Sequence, residues 1–356
     1  MKSWTWALAA LLSLSACLAM AQTVPLHPAC REPGQPVDES GFVAIGGIRQ
    51  WVVIEGRDCA NPVVLIVHGG PGNPNTPFAH TLFGGWTGEF TVVQWDQRGA
   101  GKTYGANKPA DDERLTVEQL ARDGVEVATY LTQRLGKRKV ILMGGSWGSA
   151  LAVHMAQASP ALFHAYVGTA QLVGNDANLK PSYERTLGLA RAANDADSVA
   201  KLEKLGPPPW TDPRAFGILR RVTRTYEALK TDPMPKGWLR PAPGYDTPAY
   251  GADYEAGEDY SYLQFVGRSG DGMAARLDLR RLGKRFAMPV FLLQGEQDLV
   301  TTPEVSRAYF DSLAAPRKEF LSMPRTGHDP SRTMMDTQLD VLRSRVRADA
   351  LAGDAR

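Results

Sequence analysis

Gly144-Gly145-Ser146-Trp147-Gly148 sits between an apolar run, VILM, and a small-residue stretch, SALAVHMAQA. Glycines two positions either side of a serine permit a strained strand-to-helix turn that lifts the hydroxyl above a sheet. Such a serine can attack a carbonyl carbon. Its hydroxyl is a weak nucleophile, however, until a base takes the proton and an acid orients that base. Where the serine stands on such a turn, the chain order is serine, then Asp or Glu, then histidine. The six histidines are His27, His68, His80, His154, His164 and His328. Only His328, in KEFLSMPRTGHD, lies well beyond Ser146 and after a later apolar run. His154 and His164 fall on or near the helix leaving the serine turn, where packing or surface roles are expected. Asp298 in FLLQGEQDL stands just past a strand end, as the orienting acid should. Glu296 is the fallback, and Asp329, adjoining His328, is expected to point elsewhere. Ser146, Asp298 and His328 are thus the expected set for acyl transfer.

A developing oxyanion also needs backbone donors. One is the N–H after the nucleophile, here Trp147. The other belongs to the loop after VVLIV, where His68-Gly69-Gly70-Pro71-Gly72 lets the backbone approach closely. A different stretch, QWDQRGAGKTYG, ends like a phosphate-binding loop. That pattern requires a glycine five residues before Gly101, and the position holds Asp96, whose carboxylate repels phosphate. Tyr104 stands where the dinucleotide pattern needs its third glycine. The spacing therefore argues against nucleotide binding. No His, Cys and acid cluster has the spacing of H-E-x-x-H, so neither a metal nor a cofactor is expected. With 40 basic against 38 acidic residues and no long basic run, nucleic acid is not an expected partner.

These residues need a scaffold. PVVLIVHGG and FTVVQW read as strands buried on both faces, LTVEQLARDGVEVATYLTQRLG as a helix, and AYVGTAQLV as a further strand. Strands alternating with helices predict an α/β fold with a mostly parallel sheet covered on both sides. From residue 175 to 285 the texture becomes helical stretches broken by GPPPW and a Pro/Gly/Tyr-rich run. The strand–helix rhythm resumes at MPVFLLQGEQD. The expected organisation is a core over 41–174 and 286–356, with a cap over 175–285 inserted after the sixth strand. A length of 356 residues, 43% of them hydrophobic, allows one large domain with an insertion or two domains.

MKSWTWALAALLSLSACLAMAQ reads as an export signal, residues 1–21, with Ala19-Met20-Ala21 as the cleavage site. Leu14-Ser15-Ala16-Cys17 alternatively resembles a lipoprotein box that would leave Cys17 lipidated. No later segment is long and apolar enough to span a bilayer. Residues 22–40 read as an extended leading segment. GFVAIGGIRQWVVIEG reads as a hairpin turning at Gly46-Gly47. Its register brings Cys59 close to Cys30, so a disulfide is expected in an oxidising compartment, two separate thiols being the alternative.

HGGPG, DQRGAGKT, GGSWGS, GEQD and GHD, in this order, resemble the proline iminopeptidase branch of the α/β-hydrolase superfamily from about residue 40 to the C-terminus. The resemblance implies that Ser146, Asp298 and His328 are nucleophile, acid and base, and that Gly70 and Trp147 are the oxyanion donors, with Gly69 an alternative to Gly70. It also implies that DQRGAGKT is a structural loop near the site floor, with Thr103 where the family usually has serine. Family aminopeptidases hold the substrate's free amine with cap carboxylates. The candidates here are Glu184, Glu227, Glu255 and Glu258, with Asp253 and Asp259 beside them. Trp210, Tyr260, Tyr262 and Phe265 are candidates to line a pocket for a proline ring. The implied activity is release of N-terminal proline, or another residue, from short peptides. A carboxylesterase or lactonase on the same scaffold is the alternative, because substrate choice lives in the cap. A binding protein that kept the fold and lost catalysis is the rival from another class.

Overall fold

The computed structural model describes Cys30, residues 32–110 and residues 113–355. Eight strands form one sheet: β1 (Val37–Ile45), β2 (Ile48–Gly56), β3 (Val63–Val67), β4 (Thr91–Trp95), β5 (Val140–Gly145), β6 (Phe163–Thr169), β7 (Val290–Gly295) and β8 (Lys318–Met323). Their spatial order is β1-β2-β4-β3-β5-β6-β7-β8. β1 runs antiparallel to β2 and β2 antiparallel to β4, while every pair from β4 to β8 is parallel. Every residue of β3, β4 and β7 is buried, as their unbroken apolar runs require.

The hairpin turns where expected. Ile45 faces Ile48 across Gly46 and Gly47, which adopt φ of 57° and 78°, a left-handed pair that suits two glycines. β1 nevertheless starts at Val37, inside the stretch read as a leading segment. Asp38, Glu39 and Ser40 are tolerated because β1 is an edge strand with its polar side chains toward water. Just ahead of it, Cys30 and Cys59 form a disulfide with Cα atoms 5.3 Å apart. This bond closes a loop over a sequence separation of 29 residues. Reduction is expected to lower unfolding stability by about 3–4 kcal/mol, read as a shift in urea midpoint with and without dithiothreitol.

Two helices matter for the core. α1 (Val117–Leu135) opens with the Thr116 hydroxyl accepting from the Gln119 N–H and closes at Gly136 with φ 62°. α2 (Trp147–Ala158) leaves β5 and is buried over most of its length, which its Gly, Ala and Ser residues allow by letting it sit tightly against the sheet. The strand expected over AYVGTAQLV ends at Thr169, because Ala170 turns into positive φ (49°).

Between β6 and β7 the chain forms α3 (Asn175–Ala192), α4 (Ala196–Leu205), α5 (Arg214–Ala228) and α6 (Pro248–Val266). α7 (Pro303–Ser312) follows β7 and α8 (Arg332–Val341) follows β8. The Pro/Gly/Tyr-rich run joining α5 to α6 drapes back over the core. Ala242 N–H donates to the Pro77 carbonyl at 2.8 Å, the Thr81 hydroxyl to the Trp238 carbonyl at 2.6 Å, and the Trp51 indole to the Tyr245 hydroxyl at 2.9 Å. α6 in turn presses onto two glycine loops. A Cβ on Gly72 would sit 2.9 Å from the Glu258 Cα, and the Ser261 hydroxyl reaches the Gly99 carbonyl at 2.7 Å. No helix among the described residues is long and apolar enough to cross a membrane.

Candidate active site

The serine turn has the expected strain. Ser146 adopts φ 53° and ψ −124° between β5 and α2. The flanking glycines are sterically required, because a Cβ on Gly144 would lie 2.3 Å from the Gly148 carbonyl oxygen and one on Gly148 would lie 2.0 Å from that of Val67. The result is a serine hydroxyl held at the C-terminal edge of the sheet, where the expected nucleophile belongs.

Three side chains distant in sequence meet at that edge. His328 Nε2 lies 3.0 Å from Ser146 Oγ, and His328 Nδ1 lies 3.0 Å from Asp298 Oδ2 and 3.2 Å from Oδ1. Asp298 is wholly buried, yet its carboxylate accepts from the N–H groups of Val300 and Thr301, each at 2.8 Å, and from the Thr301 hydroxyl at 2.7 Å. Burial raises its pKa, but the His328 charge and these donors outweigh it and hold the carboxyl below its ordinary value. For His328 burial pulls downward, and the Asp298 charge and hydrogen bond overcome it, so the imidazole lies above its usual 6.5. An ionised acid beside Nδ1–H leaves Nε2 free to accept the serine proton. Glu296 is exposed and takes the Ser322 hydroxyl, and Asp329 pairs with Arg220 and Arg224; neither orients the imidazole.

The loop expected to carry an oxyanion donor lies beside the serine. A Cβ on Gly69 would be 3.5 Å from Ser146 Cβ, and Gly70 has φ 110°, a conformation suited to glycine. Among the described residues, the backbone N–H groups of Gly69, Gly70 and Trp147 have no acceptor in the protein, so both Gly69 and Gly70 stay open as the expected second donor. His68 is a brace rather than a base. Its Nε2 accepts from Gln97 N–H at 3.1 Å, its Nδ1 donates to the Gly69 carbonyl at 2.9 Å, and burial pushes it down to about 4. Gln97 continues the chain to the Trp147 indole at 3.1 Å.

GAGKT holds no phosphate cradle. The buried Asp96 carboxylate takes the Lys102 N–H at 2.9 Å and the Thr76 hydroxyl, and a Cβ on Gly101 would meet it at 2.4 Å. Burial pushes Asp96 up to about 6 against those hydrogen bonds. Thr103 donates to the Asp96 carbonyl at 2.6 Å and accepts from Trp51 N–H at 2.8 Å, hydroxyl contacts that a serine could also make.

Ser146 and His328 open into a cavity of about 880 Å³ roofed by α5 and α6. The cap carboxylates divide sharply around it. Glu258, with Asp259, lines the cavity. Glu184 instead borders a separate cavity, beside Arg185 and Glu304, that contains none of the three site residues. Glu255 is exposed outside the cavity wall, and Asp253 pairs with Lys108. Glu227 is buried and already committed to Leu299 N–H at 2.8 Å and Arg220 at 3.1 Å, so it is not an open amine site. Of the aromatics, Tyr262 lines the main cavity, while Trp210 and Phe265 line a small adjoining chamber with Phe216. Tyr260 reaches outward toward the Glu113 carbonyl. Unanticipated are Arg214, Arg221 and Arg224 of α5, which line the same cavity as the triad. Their spacing of seven and three residues marks one helix face and was available as a signal.

Residues 62–331, spanning β3 to β8 and all three site residues, match the family described as alpha/beta hydrolase fold. Probable aminopeptidase YbaC of Bacillus subtilis (strain 168) is 26% identical over 291 residues, 81% of this chain and 90% of that protein. A Probable proline iminopeptidase of Streptomyces coelicolor is 26% identical over 258 residues, 67% of this chain and 76% of its own. The crystal structure of a Mycobacterium smegmatis proline iminopeptidase superposes with TM-score 0.63 at 19% identity, covering 89% of this chain and 100% of that one. With the matched segment carrying the sheet and the converged Ser–His–Asp geometry together, the chain belongs to the alpha/beta hydrolase fold family and is a hydrolase of that fold.

Proposed function

We propose that this hydrolase is an exported aminopeptidase that releases an N-terminal residue, with proline preferred, from short peptides. The observation that carries the reading is Glu258: a carboxylate in the same cavity as Ser146, with no cationic side chain paired to it among the described residues. An unpaired carboxylate lining the cavity of the proposed nucleophile suits a substrate ammonium group. The chamber walled by Trp210, Phe216 and Phe265 suits a compact apolar ring. The relatives' names point the same way. Arg221, likewise without a carboxylate partner among the described residues, suits the far carboxylate of a short peptide. Export is supported by the Cys30–Cys59 disulfide, which belongs in an oxidising compartment. The leader, its cleavage site and Cys17 lie outside the described residues.

In the proposed reaction Ser146 Oγ attacks the scissile carbonyl as His328 Nε2 takes its proton. The oxyanion forms against the Trp147 N–H and the Gly69-Gly70 loop. His328 then protonates the departing amine, and a water, deprotonated by the same imidazole, hydrolyses the acyl-enzyme.

Proline p-nitroanilide is expected to be turned over at least about a hundredfold faster, as kcat/KM, than its N-acetyl form. Glu258→Gln should erase most of that preference by raising KM, since a charged hydrogen bond contributes about 1.5–3 kcal/mol. Turnover of p-nitrophenyl acetate without any anilide turnover would replace this reading with an esterase.

A further inference from the structure

We infer that Glu227, supplied by the cap helix α5, is a positioning residue for the triad. Its carboxylate braces the loop that carries Asp298 and, through Arg220, the loop that carries His328. One carboxylate oxygen accepts the N–H of Leu299, the residue after Asp298, at 2.8 Å. The other accepts from Arg220 Nη1 at 3.1 Å, and Arg220 Nη2 reaches Asp329, the residue after His328, at 2.6 Å. The backbone before His328 also passes against it, since a Cβ on Gly327 would lie 3.3 Å from the Glu227 carboxylate. The two loops leave different strands, β7 and β8, and are tied to each other by the Gln297 N–H to the Thr326 carbonyl at 2.9 Å. One cap side chain therefore packs against both loops that carry the acid–base pair.

Glu227 is 5% exposed and is absent from the wall of the triad's cavity. A buried carboxylate is costly unless paired and hydrogen-bonded, and here one oxygen is used on the Asp298 loop and the other on Arg220, which itself holds Asp329. The charged groups facing His328 are Asp298, Arg220, Glu227 and Asp329, with Arg224 behind Asp329. Arg220 favours the neutral imidazole and Glu227 the protonated one. Removing the Glu227 charge leaves Arg220 less opposed, so His328 should titrate at lower pH and the acid limb of activity should move toward acid.

This inference rests on the triad but not on a peptide substrate. The test compares Glu227→Ala and Glu227→Gln on proline p-nitroanilide and on p-nitrophenyl acetate, which has no amine. It adds the rate of Ser146 labelling by a fluorophosphonate, and thermal melting to fix the folded fraction. Glu227→Ala is expected to lower kcat for both substrates by roughly ten- to hundredfold with KM little changed, and to slow labelling by the same factor. Glu227→Gln keeps an acceptor for Leu299 N–H, so it should recover most of that rate while shifting the acid limb to lower pH. A loss confined to the anilide and expressed in KM would make Glu227 an amine ligand and overturn the inference. So would unchanged kcat and pH profile in both variants, or a loss accounted for entirely by a smaller folded fraction with Glu227→Gln indistinguishable from the parent. Ester turnover without anilide turnover would defeat the peptidase reading alone and leave the ester and labelling arms intact.

Discussion

Ser146→Ala is expected to lower kcat by roughly a millionfold, to the residual level supplied by binding and the oxyanion donors. Among the described residues, the Ser146 hydroxyl is the group hydrogen-bonded to His328 Nε2, at 3.0 Å, that can form an acyl bond. The substitution removes one oxygen from a turn already shaped by Gly144 and Gly148, so the fold should be kept, and KM should change little. Steady-state rates and the absence of fluorophosphonate labelling check it. A variant retaining even a hundredth of the parent rate would require another nucleophile and end the acyl-enzyme account.

Asp298→Asn should cost about ten-thousandfold in kcat. The amide would face His328 Nδ1 with an N–H₂ group or offer only a neutral acceptor, and the first arrangement puts the imidazole proton on Nε2. That nitrogen then donates to Ser146 and cannot take its proton. The Asp298 charge also holds the imidazole above its usual 6.5. For a base that must be neutral, a raised pKa means activity is lost below a pH higher than 6.5. Without the charge, the remaining activity should persist to lower pH than in the parent. A pH profile of kcat/KM for both proteins reads both effects, and coincident acid limbs would show that Asp298 does not govern the base.

The parts of this site legible in the sequence were those set by local geometry and chain order. Gly144 and Gly148 mark the turn because no larger residue fits there. Gly46-Gly47 marks the hairpin because two consecutive residues need positive φ. The disulfide followed from strand register. What the sequence left open were the directions of cap side chains. Glu227 and Glu258 are both acids on helices of the same insertion. One packs into the loops beneath it and the other faces the cavity, a difference fixed by how α5 and α6 rest on the core. Glu184 lies on α3, which borders a different cavity, and nothing in the local pattern distinguishes it. The P-loop-like GAGKT was legible as a negative, because Asp96 stands where the loop needs glycine. Its positive role, a carboxylate buried beneath the Lys102 amide, depends on tertiary packing.

The stitching of the insertion to the sheet bears on how new specificities can be built here. Glu227 on Leu299, Ser261 on Gly99 and Ala242 on Pro77 are partners lent by the cap to polar backbone groups of the core. A graft of a foreign cap would remove those bonds. Chimeras at this scaffold must therefore carry the matching anchor residues with the transplanted helices.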